Sequence, residues 1–126
     1  MIGIIGAMEE EVAALKSEMA DAEVTEFASM TFYKGTLCGK DVVVVRSGIG
    51  KVNAAICAQI LVDKFGVDTL INTGIAGSLD ARIDIGDMVI STDAVHHDMD
   101  ATIFEDYIKV GKKADSISTL LKFLRR

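Results

Sequence analysis

The sequence predicts an α/β domain built on a mostly parallel or mixed sheet, and three observations predict it. Short apolar runs of strand length alternate with segments of helical period. Residues 42–45 are four consecutive valines, and a strand apolar at every position has both faces covered. Three glycine-bearing loops, Gly6-Ala7, Ser47-Gly48-Ile49-Gly50 and Gly74-Ile75-Ala76-Gly77, each follow a strand-like run. In open α/β sheets the ligand site lies beyond the carboxyl ends of the strands, where such loops sit.

Residues 2–5 are a short apolar run closed by Gly6, after which Met8, Val12, Leu15 and Met19 recur at helical spacing, giving strand, tight turn and helix. Residues 31–37 and 41–46 are strand-like and joined by Cys38-Gly39-Lys40, a hairpin connection. The loop 47–50 precedes a helix over about 51–65, apolar over most of its girth and stopped by Gly66. Strands are expected again at 68–73 and 87–92, the second followed by the polar cluster His96-His97-Asp98-Met99-Asp100. A last helix is expected from about Glu105, with Ile117, Leu120, Leu121 and Leu124 on one stripe.

The 126 residues suffice for one domain of ordinary size. Half are hydrophobic and a quarter charged, with a mean hydropathy of +0.35, which excludes a disordered tail or a coiled coil. Residues 1–104 hold 7 Lys or Arg against 16 Asp or Glu, and residues 105–126 hold 6 against 3. So acidic a body argues against nucleic acid as a partner. Cys38 and Cys57 have no Cys or His beside them, so they read as reduced thiols, without a disulfide framework or a zinc site. The N-terminus lacks a basic region and runs into Glu9-Glu10-Glu11, unlike a signal peptide, and no apolar run approaches the roughly 20 residues of a membrane span. The expectation is a cytoplasmic protein with no membrane partner.

Gly48-Ile49-Gly50-Lys51 fails as a phosphate-binding Walker loop, because the glycine spacing is too short and Val52 stands where Ser or Thr belongs. Gly3-Ile4-Ile5-Gly6 lacks the dinucleotide fingerprint. No cofactor is expected. Among the three adjacent glutamates, helical geometry separates Glu11 from Glu9 and Glu10. At about 100° per residue, Met8, Val12, Leu15 and Met19 fall within an arc of about 60°, and Glu11 lies about 40° from Leu15 while its neighbours point away. A carboxylate on the margin of a buried stripe, beside a strand-end loop and near the positive end of a helix, suits a general base. His96 to Asp100 contains metal-capable side chains, but neighbouring ligands on an extended segment point to opposite sides and there is no second cluster, so no metal is expected.

Four segments in order, Ile-Gly-Ile-Ile-Gly-Ala-Met-Glu-Glu-Glu (2–11), Ser-Gly-Ile-Gly-Lys-Val-Asn-Ala-Ala (47–55), Ile-Asn-Thr-Gly-Ile-Ala-Gly (71–77) and His-Asp-Met-Asp-Ala-Thr (97–102), resemble the bacterial 5′-methylthioadenosine/S-adenosylhomocysteine nucleosidases. The resemblance is continuous over about residues 1–104. It implies a nucleoside phosphorylase-like three-layer sandwich with a mixed central sheet, a homodimer, and hydrolysis of the N-glycosidic bond between adenine and a 5′-thio-substituted ribose in methionine salvage, without metal or cofactor. Position by position, Glu11 matches the glutamate that activates the attacking water, and Ala7 and Met8 match the adjoining lining of the ribose site. Ile49 matches an apolar contact to the thioribose. Ile75, Ala76 and Gly77 match the loop beneath the nucleoside, where many relatives have Ser at the position of Ile75. Ala101 and Phe104 match residues that reach the 5′-thio pocket of the neighbouring subunit.

The resemblance departs after residue 104. The family continues through strands carrying a Met-Glu pair, an aromatic contact to adenine and a Ser-Asp motif whose Asp protonates the departing base. Here residues 105–126 instead resemble the family's final helix. The chain thus reads as a single domain with its middle and C-terminal strands missing, which accounts for the absence of proline and for the charge discontinuity. Two functions follow as expectations: a nucleosidase, or a catalytically inactive nucleosidase-like domain that keeps dimerisation or weak nucleoside binding.

Overall fold

Successive side chains of a strand point to opposite faces, so four buried valines in a row need a cover on each side. The computed structural model, which describes residues 1–92 and the backbone of residues 117–122, supplies one helix for each face. Strand β1 (Ile2–Gly6) is followed by α1 (Glu9–Glu18), β2 (Ala20–Phe27), β3 (Met30–Leu37), β4 (Lys40–Arg46), α2 (Lys51–Phe65), β5 (Thr69–Ile75), β6 (Met88–Ile90) and β7 (Ile117–Lys122). The sheet order is β2-β3-β4-β1-β5-β7-β6. Strand β1 pairs parallel with β4 and β5, and β5 with β7, while the pairs β2–β3, β3–β4 and β6–β7 are antiparallel.

Val43 and Val45 pack with Ile5 and Phe32 against Cys57 and Leu61 of α2. Val42 and Val44 pack with Ile4 against Val12 of α1, with Leu15 and Met19 beside them. The alternation produces the expected three layers, helix on sheet on helix, and each fully buried valine contributes about 1.5–3 kcal/mol. Helix α2 ends as its sequence indicates. Gly66 takes a left-handed conformation (φ 65°) and its N–H donates to Val62 O, an αL close, while the N–H of Val67 donates to Leu61 O and Val67 packs in the same cluster as Leu61. Among the described residues no helix is long and apolar enough to cross a membrane.

The connectivity fixes where a ligand can bind. From β1 the chain passes through α1 and the β2–β3 hairpin to β4 on one side, and from β4 it crosses through α2 on the opposite face to β5 on the other side. Strand β1 therefore lies at a topological switch point, and the carboxyl ends of β1, β4 and β5 border the crevice that such a point creates.

Two elements differ from the sequence reading. Strand β2 was not expected, since only Val24 and Phe27 of its eight residues are large and apolar and nearly all are exposed. It is an edge strand carrying Asp21, Glu23 and Glu26, charges that oppose pairing with a further strand. Phe27 ties it to the body through edge contacts at 6.1 Å with both Phe32 and Phe65. The second difference is at residues 117–122, expected to be helical and found as β7, in parallel register with β5 from Leu70↔Ile117 to Ile75↔Lys122. The unpaired edge of β5 offers a ladder of backbone donors and acceptors, and that tertiary pairing overrides a weak helical period in a segment with Ile and Thr. The cluster His96 to Asp100, Ala101, Phe104 and the rest of the expected C-terminal helix lie outside the described residues.

Cys57 is fully buried on the sheet-facing side of α2 and Cys38 is exposed in the β3–β4 turn. Burial pushes the Cys57 thiol up from 9.0 to about 12. Because the folded state then holds its proton where the unfolded state releases it, stability should fall as pH rises from about 9 toward 12. At pH 8 one thiol per native chain should react with iodoacetamide and the second only in denaturant. Labelling of Cys57 in the native protein as fast as Cys38 would contradict the burial.

Candidate active site

Helix α1 begins without a conventional side-chain cap, since its N-cap residue is Met8. The first turn is served instead by Glu11, three residues on, whose Oε2 accepts the N–H of Met8 at 3.0 Å and that of Ala7 at 2.7 Å. Its other oxygen reaches across the sheet, where Oε1 accepts the N–H of Ile75 at 3.1 Å. One half-buried carboxylate thus joins the loop after β1 to the end of β5, 64 residues away. Glu9 and Glu10 are exposed, and Glu9 turns outward to bond Lys16 Nζ at 2.8 Å. Glu11 is thus set apart from Glu9 and Glu10, as the helical spacing predicts.

Two glycines make the reach of Glu11 feasible. A Cβ at Gly74 would stand 2.6 Å from Glu11 Oε1, and a Cβ at Gly6 would stand 2.6 Å from Val12 Cγ1 and 3.0 Å from Glu11 Cβ. In the sequence alone both read as turn residues. Their shared position at the ends of parallel strands was the available signal, but only the structure shows that the carboxylate fills the space.

The third loop is tied to the same place. The N–H of Ser47 donates to Gly6 O at 2.9 Å, so the segment carrying Ile49 leaves β4 directly beside the Gly6-Ala7 turn. Ile49 is 75% exposed and Ile75 is also exposed, leaving apolar surface at the crevice mouth. Ala76 and Gly77 line a groove of about 460 Å³ that continues along residues 78–81 and 83–85. Neither Glu11 nor Ile49 lines that groove. The structure therefore brings Ala7, Met8, Glu11 and Ile75 into direct contact, holds Ile49 on the adjoining loop, and sets Ala76 and Gly77 just beyond. Ser47 and Asn53, which brace the middle loop, were not singled out in the sequence.

A carboxylate offers about four lone-pair positions. Three are taken by backbone N–H groups, which fix the orientation of Glu11 and leave an acceptor for a water at the crevice. The two glycine substitutions should separate site from scaffold. Gly74→Ala meets the movable end of a side chain, so it should cost under about 1 kcal/mol of stability while abolishing the Ile75 bond, seen as loss of protection of the Ile75 amide. Gly6→Ala meets packed Val12 and should cost about 1–3 kcal/mol. Equal costs in chemical denaturation would refute the steric assignment.

Residues 1–124 match the phosphorylase superfamily. The 5′-methylthioadenosine/S-adenosylhomocysteine nucleosidase of Staphylococcus haemolyticus is 55% identical over 104 residues, which are 82% of this chain and 46% of that protein. The crystal structure of the methylthioadenosine/S-adenosylhomocysteine nucleosidase of Colwellia psychrerythraea, in complex with adenine, superposes with a TM-score of 0.82 at 50% identity, covering 91% of this chain and 47% of the other. The nucleosidase of S. pneumoniae with the transition-state inhibitor MT-ImmA gives 0.81 at 42% identity, covering 91% and 49%. The chain spans about half the length of the relatives it matches. With its helix-on-sheet-on-helix layers, its switch-point crevice and a match over almost its whole length, the chain belongs to the phosphorylase superfamily.

Proposed function

We propose that this chain carries the water-activating part of a nucleosidase that hydrolyses the N-glycosidic bond of 5′-methylthioadenosine and S-adenosylhomocysteine, releasing adenine in methionine salvage. The observation that carries the reading is the Glu11 carboxylate, oriented by three backbone N–H groups from two strand-end loops. Support comes also from the relatives, which bear the nucleosidase name at 42–55% identity. In this reading Glu11 holds the attacking water and takes its proton. Ala7 and Met8 line the ribose side, Ile49 meets the thioribose, and Ile75, Ala76 and Gly77 run beneath the nucleoside. The reaction uses no metal or cofactor, because the protein supplies the base and the departing adenine needs only a proton. We place the protein in the cytoplasm as a homodimer, with Ala101 and Phe104 reaching the partner's 5′-thio pocket.

A second reading, a nucleoside-binding domain without turnover, is favoured by one observation. The Ser-Asp pair that the resemblance assigns to protonating adenine has no counterpart in these 126 residues. Glycoside cleavage needs leaving-group protonation as well as water activation, and loss of either commonly costs roughly 10²-fold or more.

An adenine-release assay with 5′-methylthioadenosine, on material whose intact mass matches 13.5 kDa, distinguishes the two. Turnover of roughly 1 to 10³ per second would exclude the binding domain, and calorimetric binding without turnover would support it. In whichever form turns over, Glu11→Gln should lower the rate roughly 10²- to 10⁴-fold while the protein remains folded. Full activity in that variant would remove Glu11 from the mechanism. The glutamine oxygen can still serve Ala7 and Met8, but its NH₂ then faces the Ile75 donor, so a modest loss of stability is also expected.

Light scattering at micromolar concentration should give twice the chain mass. Phe104→Ala should weaken nucleosides with long apolar 5′ substituents more than adenosine itself. A monomer, or an equal loss for both ligands, would contradict the shared pocket.

A further inference from the structure

Three of the four carbonyls in the loop between β4 and α2, those of Gly48, Ile49 and Gly50, are each held by a different donor. Ser47 Oγ donates to Gly48 O at 2.9 Å, Asn53 Nδ2 to Ile49 O at 2.8 Å, and the N–H of Ala54 to Gly50 O at 3.1 Å. The last is the ordinary first bond of α2. Gly48 and Gly50 on either side of Ile49 both have positive φ, 83° and 105°, so the loop occupies backbone space that other residues rarely adopt. A Cβ on Gly48 would also stand 3.2 Å from Asn53 Nδ2, so the amide lies against the loop as well as bonding it.

The direction of the Asn53 bond is informative. Asn53 is the third residue of α2, and a side chain there ordinarily accepts from the N-cap backbone N–H, satisfying one of the helix's free donors. Here the amide donates instead, to the carbonyl of Ile49, which precedes the N-cap Gly50. The bond satisfies no helix donor, so it orders the loop rather than the helix. What it orders is a residue whose own side chain is three-quarters exposed and is not held by the core.

We propose that Asn53 is a positioning residue for ligand specificity. By fixing the Ile49 carbonyl it sets where the Ile49 side chain stands, and through that the affinity for a 5′-thio-substituted ribose. The inference rests on the nucleosidase reading above, in which Ile49 meets the thioribose and adenine binds elsewhere.

The experiment compares the whole chain with Asn53→Ala, which removes the donor, and with Asn53→Asp, which sets an oxygen against the Ile49 carbonyl. Calorimetry measures 5′-methylthioadenosine and adenine, and methyl relaxation measures the order of the Ile49 Cδ1 group. Asn53→Ala should weaken 5′-methylthioadenosine roughly fivefold to tenfold, what one hydrogen bond of typical net strength is worth, and Asn53→Asp more, with adenine changed less than about twofold. The Ile49 methyl should lose order in both variants while thermal stability stays close to wild type. Equal weakening of the two ligands, or none, overturns the proposal. If the wild-type chain binds no 5′-methylthioadenosine, the nucleosidase reading fails for this chain and the methyl order alone decides the positioning: loosening upholds it, and an unchanged methyl overturns it.

Discussion

The Glu11 carboxylate takes its three donors from two loops that the chain forms far apart, and the rest of the architecture has to bring those loops together. Ala7 and Met8 are local, within the same turn of chain as α1. Ile75 is not, and its N–H arrives only because β5 lies beside β1 in parallel register, Ile5 opposite Asn72, so that both strands end at one edge. Gly6 and Gly74 then leave the space that the carboxylate enters. A site made of backbone donors depends on strand register, whereas a site made of side chains depends mainly on rotamers. Slippage by one residue would remove the Ile75 donor even with every functional side chain still present.

That dependence explains the heavy cover over β1 and β4. Val42 to Val45 are at most 3% exposed, and each of the two helices buries one of the faces they make. Alternate packing on two sides specifies register twice, since a one-residue shift would exchange the cover of every valine. The same strands end in the Ser47 link to Gly6, so the scaffold that fixes β1 against β4 also fixes the Ile49 loop against the Glu11 turn. Stability and site geometry share one set of contacts near the carboxyl ends, while the hairpin of β2 and β3 carries the acidic edge away from them.

How much of this was legible in the sequence follows from how local each feature is. Glu11 stood out because the helical period is a local property and set it apart from Glu9 and Glu10. The valine strand and the Gly66 stop of α2 were legible for the same reason. Strand β2 was not, because an exposed acidic edge carries neither alternation nor apolar content, and its anchors, Phe32 and Phe65, are contributed by other elements. Residues 117–122 were misread because Ile117, Leu120 and Leu121 fit a helical stripe, and the available edge of β5 is not visible in their own sequence. Gly74 and Ile75 lie in a segment whose glycines read as a turn. The partnership with Glu11 is a long-range pairing that no local period encodes.

Under the proposed function, the occupancy of the backbone nest bears on which nucleophile the site can use. Clustered N–H groups at a strand end are a ready site for an anion, and in a superfamily named for phosphorolysis that anion would be a second substrate. Here the nest is filled by the chain's own carboxylate. A phosphate drawn to the same donors would stand near Glu11, and two unit charges about 4 Å apart repel by about 4 kcal/mol at an effective dielectric constant of 20. That is close to a thousandfold against the anion, since 1.36 kcal/mol corresponds to a factor of ten. Water carries no charge, can donate to the carboxylate position that the backbone leaves free, and loses a proton to it as it attacks. A glutamate locked onto backbone donors therefore does two things at once. On the proposed nucleosidase reading it would present a base to a neutral nucleophile and occupy the place a charged one would need, favouring hydrolysis over phosphorolysis.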